Sequence, residues 1–443
     1  MTLRPERMKR RSITGTSLIV LLLLGVGLRF YGIGSKAVWL DEAFSIWLAN
    51  QPLSALWGWL VRIDQHPPLY YTLLHFWQLC FGDLQGVVRM LSALCSTLTL
   101  PFFYGFSRRF TDQPGALIAT LLLTISPFHI RYAQEARMYA LLTLAVAVAL
   151  YLLAPLLLDR LPPANWRWTA FAIAQAAAML THNTAAVFLP LALNLAIGGA
   201  LWWRRRWGDI PGFRGLNQEF FARRWRYTQW VALLCWLPWS VPFVIQTIGV
   251  DREFWMPAPT WTFIRETLHT FHIALQPTVP VPWWVVDLIY GGCFLLGCWR
   301  LRKHGVRLGL LLSLCLVPLV VALLVSLRRP IFFDRIFLWA TLPYYLLIGA
   351  GIGQLHCWLV RVGTRYTVSL RAYNLAVGSL LLLLVALNGQ ALHNYYANFV
   401  KEGWDRAAAY VAGQAAPDDL LLFNATWIQL PFVYYLRHEP IYP

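Results

Sequence analysis

Two adjacent carboxylates stand beside a long apolar run in the segment "VWLDEAFSIWL", which begins at Val38. A carboxylate just outside a membrane, such as Asp41 or Glu42, can act as a general base that takes a proton from an acceptor hydroxyl. The pair also has a structural interpretation, because Asp41 could cap a helix whose first turn contains Glu42, where the helix dipole favours an acid. The two interpretations are compatible, since a cap fixes the backbone that aims the acid.

Two histidines offer further chemistry. In "DQHPPLYY", His66 precedes Pro67 and Pro68, which suit the first turn of a helix. The free N–H groups at such a helix start bind anions such as phosphate, so His66 could contribute to a phosphate or metal site. A lone histidine is more often structural. His182, in "MLTHNT" between two apolar runs, is a weaker candidate of the same kind.

Hydrogen-bonding side chains are unusually dense in "SPFHIRYAQEARMYAL", which lies between two apolar runs. The candidate binding residues in it are Arg131, Gln134, Glu135, Arg137 and Tyr139. Arg131 and Glu135 are four residues apart and could simply pair along a helix. That pair would use only two of the polar groups, and such density at a membrane surface suggests the binding of a polar ligand.

A later segment, "RRPIFFDRIF", contains Arg328, Arg329 and Arg335. Guanidinium groups bind phosphate through two parallel hydrogen bonds, so these residues could hold a phosphorylated ligand. The alternative is that the side chains extend to lipid headgroups.

The evidence for a metal site is weak in the sequence. His269 and His272 are three residues apart on one face of a predicted helix, a spacing that some metal sites use, but no third ligand is evident in the sequence. The seven cysteines lie in or beside apolar runs without metal-type spacing, as small residues of a membrane core would. A divalent metal is therefore an open question.

The composition shows what must position these groups. Of 443 residues, 58% are hydrophobic and only 13% are charged, and mean hydropathy is +0.52. Apolar runs of about 18 or more residues recur along the chain, each long enough to span a bilayer. We therefore predict an all-α polytopic membrane protein with about 11 transmembrane helices. The predicted spans are 17–34, 86–107, 114–128, 138–158, 168–181, 184–203, 229–249, 283–299, 308–327, 337–355 and 374–391.

The distribution of basic residues predicts the orientation. If the N-terminus is cytoplasmic, the inner segments carry 23 basic and 5 acidic residues, against 14 and 15 on the outer side. Such an inner excess of Lys and Arg is what the positive-inside rule requires. It places all the polar clusters above on the outer face. The net charge of +17 is thus an orientation signal spread over short loops, which excludes a nucleic-acid-binding patch.

Two regions follow from this topology. Residues 1–391 are predicted to form the transmembrane domain, with interface helices in a first outer loop at about 35–85. Residues 392–443 are predicted to form a small extracytoplasmic α/β tail, in which "DDLLLFNA" is a strand and "WIQLPFVYYL" a short helix. A tail of this size is too small to fold alone, so it either packs on the membrane domain or is cut short.

The order of five motifs resembles glycosyltransferase family 39, the protein O-mannosyltransferase relatives within the C-type membrane glycosyltransferase superfamily. The motifs are "WLDEAF", "HPPLYYTLLHFW", "SPFHIRYAQEARMYAL", "LTHNTAAVFLPL" and "DRIFLWATLPYYLLI". The resemblance covers most of residues 17–391 and is to the bacterial branch, which also contains the aminoarabinose transferases of lipid A. It implies the C-type fold and an inverting transfer of a sugar from a polyprenyl-phosphate donor. The acceptor would be an envelope lipid, glycan or protein outside the bacterial plasma membrane.

The resemblance also implies roles for individual residues. The family's first-loop aspartate matches Asp41, which would be the general base, with Glu42 as its neighbour in the catalytic site. His66 would lie near the donor phosphate, and Arg335 begins the helix that resembles the family's late arginine motif. The remaining candidates for substrate binding are Glu135, Arg137, Arg131, Gln134, Tyr139, His182, Arg328 and Arg329. Some relatives bind a divalent metal and others do not.

Two non-enzymatic interpretations compete with a transferase. One is a carrier or flippase for a polyprenyl-linked glycan, and the other is a scaffold with a glycan-binding outer surface. Transporters place charged groups near the bilayer midplane and often contain paired halves, whereas the charges here lie at outer boundaries of the spans and no half-repeat is evident. We therefore expect an enzyme, acting as a monomer in contact with membrane lipids.

Overall fold

The computed structural model describes residues 4–63, 66–159, 164–208, 218–249, 258–274, 279–366, 370–416 and 419–438. In these ranges the regular structure is entirely helical, as predicted for the membrane domain. The α-helices are α1 (Arg4–Phe30), α2 (Leu40–Ala49), α3 (Leu53–Arg62), α4 (Leu69–Phe81), α5 (Gln85–Phe110), α6 (Gln113–Ile125), α7 (Pro127–Ala133), α8 (Tyr139–Leu158), α9 (Asn165–Met179), α10 (Asn183–Trp207), α11 (Gln218–Trp236), α12 (Ser240–Gly249), α13 (Trp261–Thr270), α14 (Trp283–Leu301), α15 (Gly305–Ser326), α16 (Thr341–Tyr366), α17 (Leu370–Ala397), α18 (Trp404–Gln414) and α19 (Gln429–His438). Three 3₁₀ helices, Leu237–Trp239, Asp334–Ala340 and Thr426–Ile428, complete the set.

The long apolar helices establish a multi-span membrane protein. Eight segments of the described chain are long and apolar enough to cross a bilayer, and the bent pair α6 and α7 would make a ninth. The two other predicted spans coincide with shorter apolar helices, the Gly15–Phe30 part of α1 and α9. All eleven predicted segments therefore fall on helices, while eleven full crossings stay a prediction.

The bend between α6 and α7 has a local cause. Pro127 occupies the first position of α7 and has no N–H to continue the α6 ladder, so the helix axis turns by 53°. Ser126 caps the new helix by accepting a hydrogen bond from the His129 N–H at 3.4 Å. The break leaves the polar residues of the "SPFHIRYAQEARMYAL" segment between α7 and the start of α8.

The centre of the bundle is the segment from Asp334 to Val360. In the most apolar 18-residue stretch of this segment, 94% is buried. Small residues allow α16 to approach its neighbour α14 closely. A Cβ atom added to Gly351 would overlap the carbonyl oxygen of Cys293, and one added to Gly297 would overlap that of Leu347. Such backbone-to-backbone packing is the usual way in which membrane helices associate without a hydrophobic driving force.

The segment between α1 and α5, which we predict to be the first outer loop, contains three short helices, α2 to α4. The residue that caps α2 is Trp39, which makes no side-chain capping bond, and Asp41 and Glu42 both lie in the first turn. The prediction that Asp41 caps this helix is therefore wrong. The Asp41 carboxylate instead pairs with Arg335 and Arg137, which are distant in the sequence, and not with the backbone N–H groups of its own helix.

The predicted strand in the tail is also wrong for its described part, residues 419–425, which form no regular element. Leu420 and Leu422 are 82% and 86% exposed, and a lone extended segment has no neighbour to complete its backbone hydrogen bonds. The predicted helix is present as α19. It lies against the first loop, where the Val38 N–H donates to the Tyr435 hydroxyl at 2.6 Å.

Candidate active site

A cavity of about 620 Å³ opens among the starts of α2, α8 and α10 and the 3₁₀ helix that precedes α16. One part of its wall is polar and another is apolar. The polar and charged residues of the wall are Asp41, His66, Arg137, Tyr139, His182, Asn183, Thr184, Gln246, Thr247, Arg329 and Arg335. The tail contributes Trp427, whose ring contacts that of Phe44 at 5.7 Å.

Asp41 is the one carboxylate among the described residues that line this cavity. Its Oδ2 atom accepts a hydrogen bond from Arg335 Nη1 at 3.0 Å and lies 3.9 Å from Arg137 Nη2. Arg137 also donates to the Asp41 backbone carbonyl at 3.2 Å. The Asp41 side chain remains 27% exposed, so a ligand in the cavity can reach it.

Arg335 is held in place by its own segment and by aromatic rings. The Arg335 N–H donates to Asp334 Oδ1 at 2.7 Å, which stabilises the start of the 3₁₀ helix. Its guanidinium lies 4.8 Å from the ring centre of Phe333 and 5.8 Å from that of Tyr139. Aromatic faces attract a cation in this geometry while leaving its N–H groups free to bind an anion.

His66 and His182 form an aromatic pair at the cavity wall, with ring centres 5.1 Å apart. His182 caps α10, and its Nδ1 lies 3.2 Å from the Thr184 N–H and 2.9 Å from the Thr184 hydroxyl. Burial, with the nearby charges of His66, Arg335 and Arg137, lowers the pKa of His182 well below its usual value. The ring is therefore neutral at neutral pH, and because Nδ1 accepts, the proton is on Nε2.

Glu42 has a different environment from its neighbour. It is fully buried, and Arg89 holds both of its carboxylate oxygens at 2.8 Å. The Ala136 N–H and Lys401 Nζ add hydrogen bonds of 2.9 Å each. Burial alone would raise the pKa of Glu42, but the charges of Arg89 and Lys401 outweigh it and lower the pKa, so the group stays ionised.

Comparison with known proteins agrees with this architecture. Residues 65–213 match the family model described as dolichyl-phosphate-mannose-protein mannosyltransferase. The chain is 23% identical over 396 residues to undecaprenyl phosphate-alpha-4-amino-4-deoxy-L-arabinose arabinosyl transferase 1 of Pseudomonas fluorescens (strain Pf0-1). That match covers 85% of this chain and 64% of the arabinosyl transferase, so the chain spans less than two thirds of this relative's length.

Two solved structures share the fold. ArnT from Cupriavidus metallidurans in the apo state aligns with a TM-score of 0.64 and 15% identity, over 96% of this chain and 85% of its own. The oligosaccharyltransferase of Archaeoglobus fulgidus in the apo form aligns with a TM-score of 0.61 and 12% identity, over 97% and 64%. The chain therefore has the fold of these membrane glycosyltransferases. The fold expected from the sequence is thereby confirmed.

Within this fold, seven of the candidates named from the sequence line one cavity. They are Asp41, His66, Arg137, Tyr139, His182, Arg329 and Arg335. Glu42 does not line it, although the sequence suggested that both adjacent carboxylates belong to the catalytic site. Successive residues of a helix are 100° apart on its surface, so when Asp41 faces the cavity, Glu42 faces the core.

Four other candidates also lie outside the cavity lining. Arg131 and Glu135 form the ion pair considered above, with Nε and Oε1 3.6 Å apart, although Glu135 lies beyond the end of α7. Gln134 donates to the carbonyls of Arg29 and Tyr31 at 3.2 and 2.7 Å and therefore serves packing. Arg328 is exposed. Of the polar residues in this segment, Arg137 and Tyr139 thus line the cavity. Arg131, Gln134 and Glu135 make structural contacts outside its lining.

Three residues in or next to the site were not among the candidates predicted from the sequence. Gln246 lines the cavity from α12 and donates to the Leu60 carbonyl at 2.8 Å, and Arg89 and Lys401 hold Glu42. A charge inside an apolar span is costly and marks a functional or pairing position, so Arg89 in "GVVRMLSAL" could have been found. Lys401 gave no such signal, because it follows the last span by only a few residues.

A divalent metal does not fit at Asp41. Two guanidinium groups already surround its carboxylate, and the described cavity lining offers no second acid. A hard cation prefers several oxygen ligands and would be repelled by the arginines.

Proposed function

We propose that this protein is an inverting glycosyltransferase that moves a sugar from a polyprenyl-phosphate donor to an acceptor at the outer face of the membrane. The observation that carries the proposal is the position of Asp41, a cavity-facing carboxylate 3.0 Å from Arg335. A base and an anion-binding cation on one wall are what a sugar transfer from a phosphate ester requires. The transferases that the chain resembles support the same chemistry.

The proposed step uses one base. The acceptor oxygen attacks the anomeric carbon while its proton passes to the Asp41 carboxylate. The bond from that carbon to the phosphate oxygen breaks, and the electron pair leaves with the polyprenyl phosphate. Arg335 stabilises the charge that develops on the phosphate. A single displacement of this kind inverts the anomeric centre and needs no second carboxylate, which is consistent with the burial of Glu42.

The apolar part of the cavity wall supports a lipid-linked donor. Val187, Phe243, Val321, Val325 and Ile331 line it. These residues come from α10, α12 and α15 and from the segment that follows α15. A polyprenyl chain would pack against this wall while its phosphate reached the guanidinium groups, as the amphipathic character of such a donor requires.

The location follows from the charge distribution. We place the protein in the bacterial plasma membrane with the N-terminus cytoplasmic, and with the active site and C-terminus outside. The similarity to ArnT from Cupriavidus metallidurans supports the membrane assignment. Residues 1–391 would form the transferase domain. Residues 392–443 would complete its outer side, to which Lys401 and Trp427 already contribute. We expect the monomer to be active.

The function is testable with purified protein in liposomes. Undecaprenyl-phosphate sugars are supplied with candidate lipid, glycan and peptide acceptors, and products are identified by mass spectrometry. We expect transfer from at least one donor, with NMR showing that the anomeric configuration is inverted. Retention of configuration would contradict the proposed step. Translocation of the labelled lipid without any transfer would support a carrier instead.

Arg335→Ala is expected to weaken the binding of undecaprenyl phosphate by about 10- to 100-fold, because a hydrogen bond to a charged group contributes about 1.5–3 kcal/mol. Affinity is measured with fluorescent undecaprenyl phosphate in detergent. Arg328→Ala is the matched control, since Arg328 precedes the same segment but is exposed outside the cavity lining. Equal affinity in the wild type and Arg335→Ala would remove Arg335 as the phosphate ligand.

A further inference from the structure

Three side chains of types that can bind a metal converge away from the proposed active site. His269 and His272 come from α13 and the turn that follows it, and Asp287 comes from α14. One ligand atom from each lies within 4.8 Å of the others. The Nδ1 atoms of His269 and His272 approach Asp287 Oδ1 to 2.6 and 2.8 Å. A neighbouring helix thus supplies a third potential ligand, which the sequence did not reveal.

The surrounding side chains fix both imidazole rings. His269 stacks on Trp283 with ring centres 4.6 Å apart and an interplanar angle of 13°. His272 stacks on Tyr290 at 4.8 Å and 21°, and its Nε2 lies 2.6 Å from the Tyr344 hydroxyl. Such an outer hydrogen bond is typical of metal-ligating histidines, because it sets the ring orientation and the tautomer.

The hydrogen bonds of His272 are compatible with metal binding. If His272 donates its Nε2 proton to Tyr344, its Nδ1 carries a lone pair that faces a carboxylate oxygen at 2.8 Å. In that tautomer a metal ion between the two atoms would offset their repulsion, whereas in the other tautomer the Nδ1 proton bridges them.

We propose that His269, His272 and Asp287 form a binding site for a divalent transition-metal ion, with Zn²⁺ as its best occupant. Two imidazole nitrogens and one carboxylate oxygen are ligands that Zn²⁺ favours, and three protein ligands leave a fourth position for water. With metal–ligand bonds of about 2.1 Å, tetrahedral ligands are roughly 3.4 Å apart. The Asp287 side chain is 32% exposed and can move outward by the required fraction of an ångström.

The site would join α13 to α14 next to the segment that carries Arg335. Phe271 contacts Phe337 with ring centres 6.3 Å apart, and Phe263 contacts Phe333 at 5.9 Å. Phe333 also supports the Arg335 guanidinium. A metal at this site would therefore stabilise the outer segment that packs behind the anion-binding arginine. This inference does not depend on the proposed transfer reaction.

The test uses full-length protein in detergent, freed of metal with a chelator and then supplied with Zn²⁺ alone. We expect one Zn²⁺ per chain by mass spectrometry of the metal and a higher Tm with Zn²⁺ than without, because a ligand of the native state stabilises it. Co²⁺ in place of Zn²⁺ should give the visible absorption of tetrahedral cobalt.

Variants separate this site from adventitious binding. Asp287→Asn keeps the shape and a hydrogen-bond acceptor, so it should fold while losing the zinc-dependent rise in Tm, and His272→Ala should lose the cobalt absorption. His356→Ala is the control, because His356 lies elsewhere on α16 and pairs with Asn374. No stoichiometric zinc in the wild type, or equal zinc uptake by Asp287→Asn, would show that the triad holds only protons and would overturn the proposal.

Discussion

Asp41→Asn is expected to abolish sugar transfer while the donor still binds. The amide cannot accept the acceptor proton, and loss of a general base costs about 10²- to 10⁴-fold in rate. Its carbonyl oxygen can still accept the 3.0 Å hydrogen bond from Arg335, so the cavity should keep its shape. The rate is measured with saturating donor and acceptor, and donor affinity is measured separately with fluorescent undecaprenyl phosphate.

Asp405→Asn is the matched control for this experiment. Asp405 is an exposed acid in the first turn of α18, and it does not line the cavity. It should transfer sugar at the wild-type rate. Undiminished transfer by Asp41→Asn would exclude Asp41 as the base. Loss of both transfer and donor binding would indicate that Asp41 mainly orients the two arginines.

Glu42→Gln is expected to lower the free energy of unfolding by about 3–5 kcal/mol, because it leaves Arg89 buried without its countercharge. Lys401 loses the same partner, although it also lies 3.6 Å from Glu135. Thermal unfolding in detergent, followed by circular dichroism, measures the loss as a lower Tm. Glu402→Gln, at an exposed position in the same tail, should leave the Tm unchanged.

A double variant distinguishes an ion network from a catalytic role. Glu42→Gln combined with Arg89→Met should cost less stability than the two single changes added together, because Arg89 no longer leaves a buried charge without its partner. Glu42→Gln protein that is kept folded at low temperature should still transfer sugar. A rate that falls as far as in Asp41→Asn, with an unchanged Tm, would instead make Glu42 catalytic.

The same network predicts a pH dependence of stability. The pKa of Glu42 is lower in the folded protein than in the unfolded chain. Its stabilising contribution is therefore complete above the ordinary glutamate pKa of about 4.3. It is lost as the pH falls through the lowered value in the folded state. In Glu42→Gln this part of the acid-induced loss of stability should disappear.

The fold was largely predictable because the bilayer imposes a constraint on each span that can be recognised in the sequence. Each span must satisfy its own backbone hydrogen bonds and be apolar over its length, which are properties of a contiguous segment. The positions of all eleven predicted segments follow from this constraint. The strand predicted around Leu420 failed for the opposite reason, since a strand exists only if a second segment pairs with it.

The chemical groups of the site were also visible in the sequence, because acids, arginines and histidines are conspicuous beside apolar runs. The sequence did not show which of these groups line the cavity and which are buried in ion pairs. Asp41 meets Arg335 across 294 residues, and Glu42 meets Lys401 across 359. Hydropathy and spacing describe neighbours along the chain and carry no information about such pairs.

The sequence by itself therefore determined that this is a multi-span helical membrane protein with its candidate site residues at the ends of its spans. Only the tertiary structure decided that Asp41 faces the cavity while Glu42 is buried, and that Asp287 joins His269 and His272. The physical reason is that burial and ion pairing depend on which helices pack together. The close packing of α14 on α16 and the folding of the tail over the first loop determine which groups are buried and which are paired.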